Sequence, residues 1–146
     1  MVRKIAFDAE KCTACRACTI ACMDQRDTDL AAGEQPCLWI TETEGAGGFS
    51  VAARRCRHCA GAPCAAACPT ESLYRDEETG LVLYDGEKCV GCRRCEKACP
   101  FDAVVFRTGA KGRPVIAKCD GCAERQRAGL LPACVHACLT GAMHLE

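Results

Sequence analysis

The chain has 146 residues, of which seventeen are cysteine and only 5% are aromatic, and its 19 Lys and Arg balance 19 Asp and Glu. This length suits one compact domain or two very small ones, and it excludes a catalytic domain with a large substrate pocket and cofactor. The zero net charge gives no indication of nucleic acid as a partner, and the abundant cysteine indicates that cross-links substitute for part of a hydrophobic core.

Short strand-like and helix-like segments alternate along the chain, which predicts an α+β fold. Four strand pairs are predicted: Lys4–Phe7 with Met143–Leu145 across the termini, Leu38–Thr43 with Phe49–Ala53, Leu73–Asp76 with Leu81–Asp85, and Val104–Arg107 with Val115–Lys118. Short helices are predicted after the cysteine loops, over Arg16–Gln25, Ala62–Ala67, Arg93–Lys97 and Leu131–Ala137. Apolar runs such as Gly129–Cys134 are far shorter than the roughly 20 residues that span a bilayer, so we expect no direct membrane insertion.

Sixteen of the cysteines fall into four groups, and each group ends in C-x3-C. The first and third groups are Cys12-x2-Cys15-x2-Cys18-x3-Cys22 and Cys89-x2-Cys92-x2-Cys95-x3-Cys99-Pro100. The second and fourth groups are Cys56-x2-Cys59-x4-Cys64-x3-Cys68-Pro69 and Cys119-x2-Cys122-x11-Cys134-x3-Cys138. Such repetition over short distances indicates a small structural unit that is used several times.

The spacing C-x2-C-x2-C favours a cubic 4Fe-4S cluster over the other uses of cysteine. A tetrahedral zinc site takes two C-x2-C pairs and has no use for a third cysteine so close by. Disulfides belong to secreted chains, and the first residues show no apolar signal segment. By contrast, a tight loop with three cysteines wraps three corners of a cube, and a fourth cysteine followed by Pro ligates the neighbouring cluster. We therefore predict four 4Fe-4S clusters.

Reciprocal exchange of the last cysteine of each group predicts the ligand sets. The second and third groups both end in Cys-Pro, and each should donate its last cysteine to the cluster of the other. The two outer groups then exchange their last cysteines in the same way. The predicted sets are Cys12, Cys15, Cys18 and Cys138 for cluster 1; Cys22, Cys119, Cys122 and Cys134 for cluster 2; Cys56, Cys59, Cys64 and Cys99 for cluster 3; and Cys68, Cys89, Cys92 and Cys95 for cluster 4. Residues 1–53 and 109–146 thus form an outer module around an inserted central module, residues 54–108.

A family resemblance rests on the order of the groups and on two gaps, the x4 gap between Cys59 and Cys64 and the x11 gap between Cys122 and Cys134. Over nearly its whole length the chain resembles the four-cluster ferredoxin-like iron-sulfur subunits of the dimethyl-sulfoxide-reductase type molybdenum and tungsten enzymes, which also serve as partners of hydrogenases and formate dehydrogenases. The resemblance implies two ferredoxin-like modules, each with short β-hairpins and short helices around two clusters. It also implies that the clusters lie in a line, with cluster 1 at the end that faces the catalytic partner.

Several residues near the cysteine groups have more than one interpretation. Cys37 lies outside every group and is predicted to be a buried free thiol, with a regulatory or intermolecular thiol as the alternative. His58 and His136 are predicted to donate hydrogen bonds near the clusters rather than to ligate iron. Trp39 serves packing or a partner contact. Basic residues near the groups would raise cluster potentials, dock an acidic partner or form an ordinary solvated surface. They are Lys11, Arg16, Arg54, Arg55, Arg57, Arg93, Arg94, Lys97, Lys118 and Arg125.

Three functions compete at this stage. The favoured one is a non-catalytic subunit that relays electrons between a catalytic oxidoreductase, such as an aldehyde or formate oxidoreductase or a hydrogenase, and another redox partner. The alternative is a free-standing or self-associating polyferredoxin. An iron-sulfur enzyme that binds substrate at an open iron requires a three-cysteine site, and none is predicted. We expect a soluble, cytoplasmic protein, with export in complex with a partner left open.

Overall fold

The computed structural model describes all residues, 1 to 146, and contains only short elements. The strands are β1 Ile5–Phe7, β2 Trp39–Gly45, β3 Gly48–Arg54, β4 Leu73–Arg75, β5 Val82–Tyr84, β6 Phe106–Thr108, β7 Pro114–Ile116 and β8 Met143–Leu145. The helices are α1 Ala17–Gln25, α2 Pro63–Ala66, α3 Arg94–Ala98, α4 Ala123–Arg127 and α5 Ala133–Ala137. Two 3-10 turns, Ala9–Lys11 and Gly86–Lys88, precede the first and third cysteine groups. No helix has the length and apolar character needed to cross a membrane.

All the strands pair in antiparallel two-stranded sheets, and these are the four pairs predicted from the sequence. β1 pairs with β8, so the two ends of the chain meet. β2 and β3 form the longest hairpin, in which the pairing runs from Trp39 opposite Arg54 to Gly45 opposite Gly48. β4 pairs with β5, and β6 pairs with β7. The mixture of antiparallel strand pairs and small helices confirms the α+β class.

Four of the helices lie where the sequence predicts them, shifted or shortened by one or two residues at their ends. The exception is α4, which the sequence analysis did not predict. Every residue of α4 is a strong helix former, and Gly129 follows its end closely. The signal for α4 was therefore present in helix propensity rather than in a hydrophobic pattern.

The backbone bends sharply before four of the helices, because the preceding residue adopts a left-handed conformation. Arg16 before α1 and Arg93 before α3 both have φ 61°, and Ala62 before α2 has φ 39°. Cys122 before α4 has φ 51°. This conformation costs a non-glycine residue of the order of 1–2 kcal/mol, so it persists only where the surroundings require it. Each of these bends lies inside a cysteine loop.

The interior consists of two groups of packed residues, and cysteines are prominent in both. The first core contains Ile5, Cys18, Cys22, Cys37, Leu38, Ile40, Val105, Cys134 and Met143. The second core contains Ala62, Cys64, Leu73, Val82, Cys89, Cys95, Val104 and Ile116. A large part of each core therefore depends on the state of its cysteines.

The same local structures build both cores, which extends the internal repeat beyond the cysteine spacing. Asp8 and Asp85 each begin a 3-10 turn by accepting a hydrogen bond, at 3.0 Å, from the backbone N–H two residues further on. The backbone N–H of Asp8 donates to the carbonyl of Ala142, and that of Asp85 donates to the carbonyl of Ser72, both at 2.8 Å. The β8–β1 pair leading into the first cysteine group therefore corresponds to the β4–β5 pair leading into the third.

Gly91 is the point at which the backbone needs glycine most. Its φ is +74°, and a Cβ there would lie 2.7 Å from the carbonyl oxygen of Pro114. Gly112 has φ +73° but nothing within 4 Å of the place its Cβ would take. We expect Gly112→Ala to cost about 1–2 kcal/mol from the backbone conformation alone. Gly91→Ala should cost about 1–3 kcal/mol more because Pro114 must move. Thermal unfolding followed by circular dichroism compares the two variants, and equal destabilisation would contradict this close approach.

Candidate metal centres

One buried cavity is lined by the four cysteines predicted for cluster 2. Cys22 comes from α1 and Cys134 from α5, whereas Cys119 and Cys122 come from the loop that leads into α4. Apolar side chains complete much of the wall, namely Ile5, Leu38, Ala133 and Met143. Cys37 and Cys56 also line the cavity, which therefore combines six thiols with apolar walls that limit the access of water to a bound group.

A second cavity is lined by the four cysteines predicted for cluster 4. Cys89 and Cys92 lie on the loop after the second 3-10 turn, Cys95 lies in α3, and Cys68 lies on the loop after α2. The apolar residues of the wall include Leu73, Val90, Phe106 and Ile116. Cys92 is the exposed member of this set.

Three of the cysteines predicted for cluster 1 lie near one another. Cys18 is carried by α1, which packs against α5, and Cys138 directly follows α5. Burial raises the pKa of the Cys18 thiol, and the neighbouring Cys12 and Cys138 raise it further. Cys15 lies exposed on the loop between Cys12 and Cys18.

The set predicted for cluster 3 shows a similar arrangement. Burial raises the pKa of the Cys64 thiol at the start of α2, and the charges of Cys56 and Cys99 also raise it. Cys59, the fourth member, is partly exposed on the loop before α2. Three members of this set are thus close enough for their charges to interact, as they are for cluster 1.

Burial disfavours the thiolate form of the interior cysteines. It is the main cause that raises the pKa of Cys95 to about 11 and that of Cys134 to about 12, and it also raises the pKa of Cys119. The thiolate is the form that ligates metal. A positive metal must therefore displace these protons, so binding is coupled to proton release.

Backbone N–H groups point at the cysteine sulfurs and offset part of this cost, since such donors stabilise negative charge on sulfur. The donor and sulfur pairs, at 3.3–3.5 Å, are Ala14 to Cys12, His58 to Cys56, Ala103 to Cys99, Ile116 to Cys89, Gly121 to Cys119 and Met143 to Cys138. Ala14, His58 and Gly121 each stand two residues after a cysteine and have positive φ. The left-handed turns in these loops therefore aim the N–H groups at sulfur.

Cys68 and Cys138, the last cysteines of the second and fourth groups, share one environment. Their sulfurs lie 3.7 and 3.6 Å from the hydroxyls of Thr70 and Thr140. Burial is the largest single cause and raises the pKa of each thiol, but the backbone N–H donors and the threonine hydroxyl together outweigh it and lower the pKa. The internal repeat therefore extends to the cysteines that are predicted to cross between groups.

The thiols surround the cavities without converging on one point. No three His, Cys, Asp or Glu side chains lie close enough together to hold a single metal ion. A cluster with four irons takes each thiolate at a separate corner, so sulfur atoms spread around a cavity fit such a group. A donor set of soft thiolates alone also suits iron-sulfur chemistry.

Comparison with known proteins decides the family. The 4Fe-4S dicluster domain family matches residues 49–146, and a 4Fe-4S binding domain matches residues 9–24. The chain thus belongs to the 4Fe-4S dicluster family. The predicted kind of cofactor is thereby confirmed, and the two matches together extend over both the first and the last cysteine groups.

Three relatives extend the comparison over almost the whole chain. The chain is 34% identical over 142 residues to a component of the anaerobic dimethyl sulfoxide reductase of Haemophilus influenzae, a match that covers 90% of this chain and 67% of the relative. It is 34% identical over 139 residues to a component of the tetrathionate reductase of Salmonella typhimurium, covering 93% and 54%. It is 35% identical over 157 residues to electron transport protein HydN of Escherichia coli, covering 98% and 87%. The chain spans about two thirds and about half the length of the two reductase components, and the predicted family is confirmed.

Cys37 lies against the cluster 2 cavity of this 4Fe-4S protein, and its predicted burial is confirmed at 5% exposure. Its Sγ donates to the carbonyl of Ala117 at 3.3 Å. A hydrogen bond with Cys22, followed by the charge of Arg26, lowers the pKa of Cys37 to about 7. The same hydrogen bond is the largest cause of the raised pKa of Cys22. Cys37 is therefore a packed neighbour of a predicted ligand.

The basic residues near the cysteine groups divide into two classes. Several form surface ion pairs, which contribute little to stability. These pairs are Lys11 with Asp8, Arg16 with Glu42, Arg54 with Asp102, and Arg93 with Glu96. Lys118 instead is buried, and its Nζ donates to the carbonyls of Val82 and Cys119. Arg26, which the sequence analysis missed, is also largely enclosed and donates to Tyr84 and Ala117.

The two histidines inside cysteine motifs and the single tryptophan differ in exposure. His58 is buried, and burial is the main cause that lowers its pKa to about 3. His136 lies exposed on α5. Trp39 is 43% exposed, and the guanidinium of Arg16 lies 5.9 Å from its ring centre. Trp39 is therefore open to a partner contact, whereas His58 belongs to the interior.

Replacing Cys37 tests the ligand sets. We expect Cys37→Ala to keep the full iron content, and Cys22→Ala to lose about four irons per chain because three thiols cannot close the cube. Both side chains are buried, so Cys22→Ala is a matched control for the loss of volume. Iron and acid-labile sulfide are quantified on anaerobically purified protein. A comparable iron deficit in Cys37→Ala would overturn the predicted sets.

Proposed function

We propose that the chain is a non-catalytic electron-transfer subunit that holds four 4Fe-4S clusters in a line. Electrons pass through it between a catalytic oxidoreductase subunit and another redox partner. The observation that carries this proposal is the continuous series of neighbouring thiols that joins the four cysteine sets. The proposed ligands are Cys12, Cys15, Cys18 and Cys138; Cys22, Cys119, Cys122 and Cys134; Cys56, Cys59, Cys64 and Cys99; and Cys68, Cys89, Cys92 and Cys95.

Charge interactions between cysteines of successive sets support the linear order. The charge of a cysteine in one set raises the pKa of a cysteine in the adjacent set. These pairs are Cys18 with Cys134, Cys56 with Cys119, and Cys64 with Cys95. Cys56 also lines the cavity of the second set, which supports a position of cluster 3 beside cluster 2. A series 1-2-3-4 is the order that these interactions favour.

The two cores support the proposed modules. The first core draws on residues from both ends of the chain, as an outer module of residues 1–53 and 109–146 requires. The second core draws chiefly on residues 54–108. Ile116 joins the second core while Val105 joins the first, so the β6–β7 hairpin straddles the two. We propose two ferredoxin-like modules that share this hairpin.

The protein supplies the setting, while each bound 4Fe-4S cluster supplies one-electron redox chemistry. Buried thiols and apolar walls limit solvent access around the second and fourth sets. The backbone donors at Cys12, Cys56, Cys89 and Cys119 stabilise negative charge on sulfur, and this favours the reduced form. Residues of this kind tune electron transfer and offer no nucleophile or proton relay for a substrate.

Exposed apolar side chains beside the first set support a docking surface for the catalytic partner. Leu139, directly after Cys138, is 97% exposed, and Ile20 on α1 is 62% exposed. Exposed apolar surface of this kind marks contact sites. We propose that cluster 1 faces a molybdenum or tungsten oxidoreductase or a hydrogenase, by analogy with the reductase components among its relatives. The cytoplasmic location stays a prediction.

A free-standing polyferredoxin is the second candidate. It is favoured by the match to electron transport protein HydN, of which the chain spans 87%. Size-exclusion chromatography of the holoprotein, alone and after co-expression with a molybdenum or tungsten oxidoreductase subunit from the same organism, separates the two. A stable heteromer supports the relay subunit, whereas monomers or homo-oligomers in both samples support the polyferredoxin.

Iron content is the primary test of the proposed function. We expect about sixteen irons and sixteen sulfides per chain from four cubes, with broad spin-coupled EPR signals after dithionite reduction because neighbouring clusters interact. A zinc protein would be colourless and give no such signal. Eight irons or fewer in undamaged protein would contradict the four-cluster relay.

A further inference from the structure

One ring nitrogen of His58 makes a hydrogen bond, and the other has no hydrogen-bond partner within the protein. The backbone N–H of Val82 donates to Nδ1 at 3.0 Å, so Nδ1 is the unprotonated nitrogen and the proton of the neutral ring is on Nε2. The side chain is only 3% exposed, and Nε2 has no hydrogen-bond partner within the protein. A buried donor without an acceptor is costly, so this N–H requires an explanation.

The Nε2 of His58 is directed at the cavity of cluster 2. His58 lines that cavity together with Cys119 and Cys122. A Cβ placed on Gly121, between these two cysteines, would lie 3.8 Å from Nε2. Yet His58 itself stands in the loop between Cys56 and Cys59, which belong to the proposed cluster 3. The side chain thus reaches from the loop of one cluster to the cavity of its neighbour.

Lys118 lies in the same region, between the second and third cysteine sets. It is 1% exposed, and its Nζ donates to the carbonyls of Val82 and Cys119, both at 2.5 Å. Val82 therefore holds both side chains, because its N–H bonds to His58 and its carbonyl bonds to Lys118. This arrangement fixes a neutral donor and a buried cation between the second and third cysteine sets.

We propose that His58 donates its Nε2–H to a thiolate or sulfide of cluster 2 and, together with the Lys118 cation, raises the reduction potential of that cluster. A donor and a positive charge both stabilise the more negative, reduced form. His58 is a positioning residue that tunes a cluster from the neighbouring loop and is not a ligand. The inference rests on the proposed function, since it takes cluster 2 to be held in this cavity.

Two substitutions separate the effect of losing the hydrogen-bond donor from the effect of losing the packing of the ring. His58→Asn keeps a short acceptor for the Val82 N–H but has no atom that reaches the cavity, and asparagine tolerates the positive φ of this position. His58→Gln is long enough to place an amide N–H near the position of Nε2. Iron content is measured first, and variants with the wild-type content go on to an EPR-monitored redox titration.

We expect His58→Asn to lower the midpoint potential of one cluster. At the wild-type midpoint its reduced-to-oxidised ratio should fall about tenfold, which is about 59 mV for one electron. His58→Gln should stay close to the wild type, and Lys118→Met should lower the same potential. Unchanged potentials in His58→Asn, or equal shifts in His58→Asn and His58→Gln, would overturn the proposal.

Pulsed EPR of reduced protein whose histidines are ¹⁵N-labelled only in the imidazole ring decides the contact even where a variant loses a cluster, because the backbone N–H of His58 already lies on Cys56 Sγ. We expect a histidine nitrogen coupled to a cluster spin in the wild type and in His144→Gln, and its loss in His58→Gln. No coupling in the wild type would refute the hydrogen bond. Iron content separates the two failures: low wild-type iron contradicts the four-cluster relay, whereas full iron without the coupling contradicts only the role of His58.

Discussion

The fold of this chain depends on backbone N–H groups that are directed at cysteine sulfur atoms. A buried thiolate is stabilised only if donors or metal compensate its charge, and the chain has little apolar core with which to offset the cost. Residues such as Ala14 and His58 accept a left-handed backbone, and their N–H groups point back at the preceding cysteine. The helices are short, because they begin only where these loops end. The free energy of binding the clusters is therefore also folding free energy.

Much of this architecture could be predicted from the sequence, because the decisive information is local. Strand-like runs, most of them joined by turn residues, predicted the strand pairs, and the cysteine spacing predicted the family. α4 was missed because it has good helix formers but no hydrophobic stripe. The burial of Lys118 was not predictable, since it depends on carbonyls of Val82 and Cys119 that only the tertiary structure brings together. Lys11 directly precedes the first cysteine of its group, as Lys118 does, and yet lies at the surface beside Asp8.

Side-chain hydrogen bonds of two arginines join parts of the chain that lie far apart in sequence. Arg26, at the end of α1, donates to the hydroxyl of Tyr84 and to the carbonyl of Ala117. Arg107 donates in turn to the carbonyl of Arg26. Burial alone would lower the pKa of Arg26, but Cys37, Tyr84 and Asp120 outweigh it and raise the pKa, so the guanidinium stays charged. These bonds tie the end of α1 to β5, to β6 and to the segment after β7.

The pairing of β1 with β8 has a consequence for biosynthesis. Cys12 emerges from the ribosome well before Cys138, its neighbour in the folded chain, because the whole central part of the sequence lies between them. On the proposed ligand sets, the two central clusters draw only on residues 56–99 and can be completed before residues 109–146 are made. The N-terminal thiols would therefore stay open to oxidation and to premature metallation until Cys138 is synthesised.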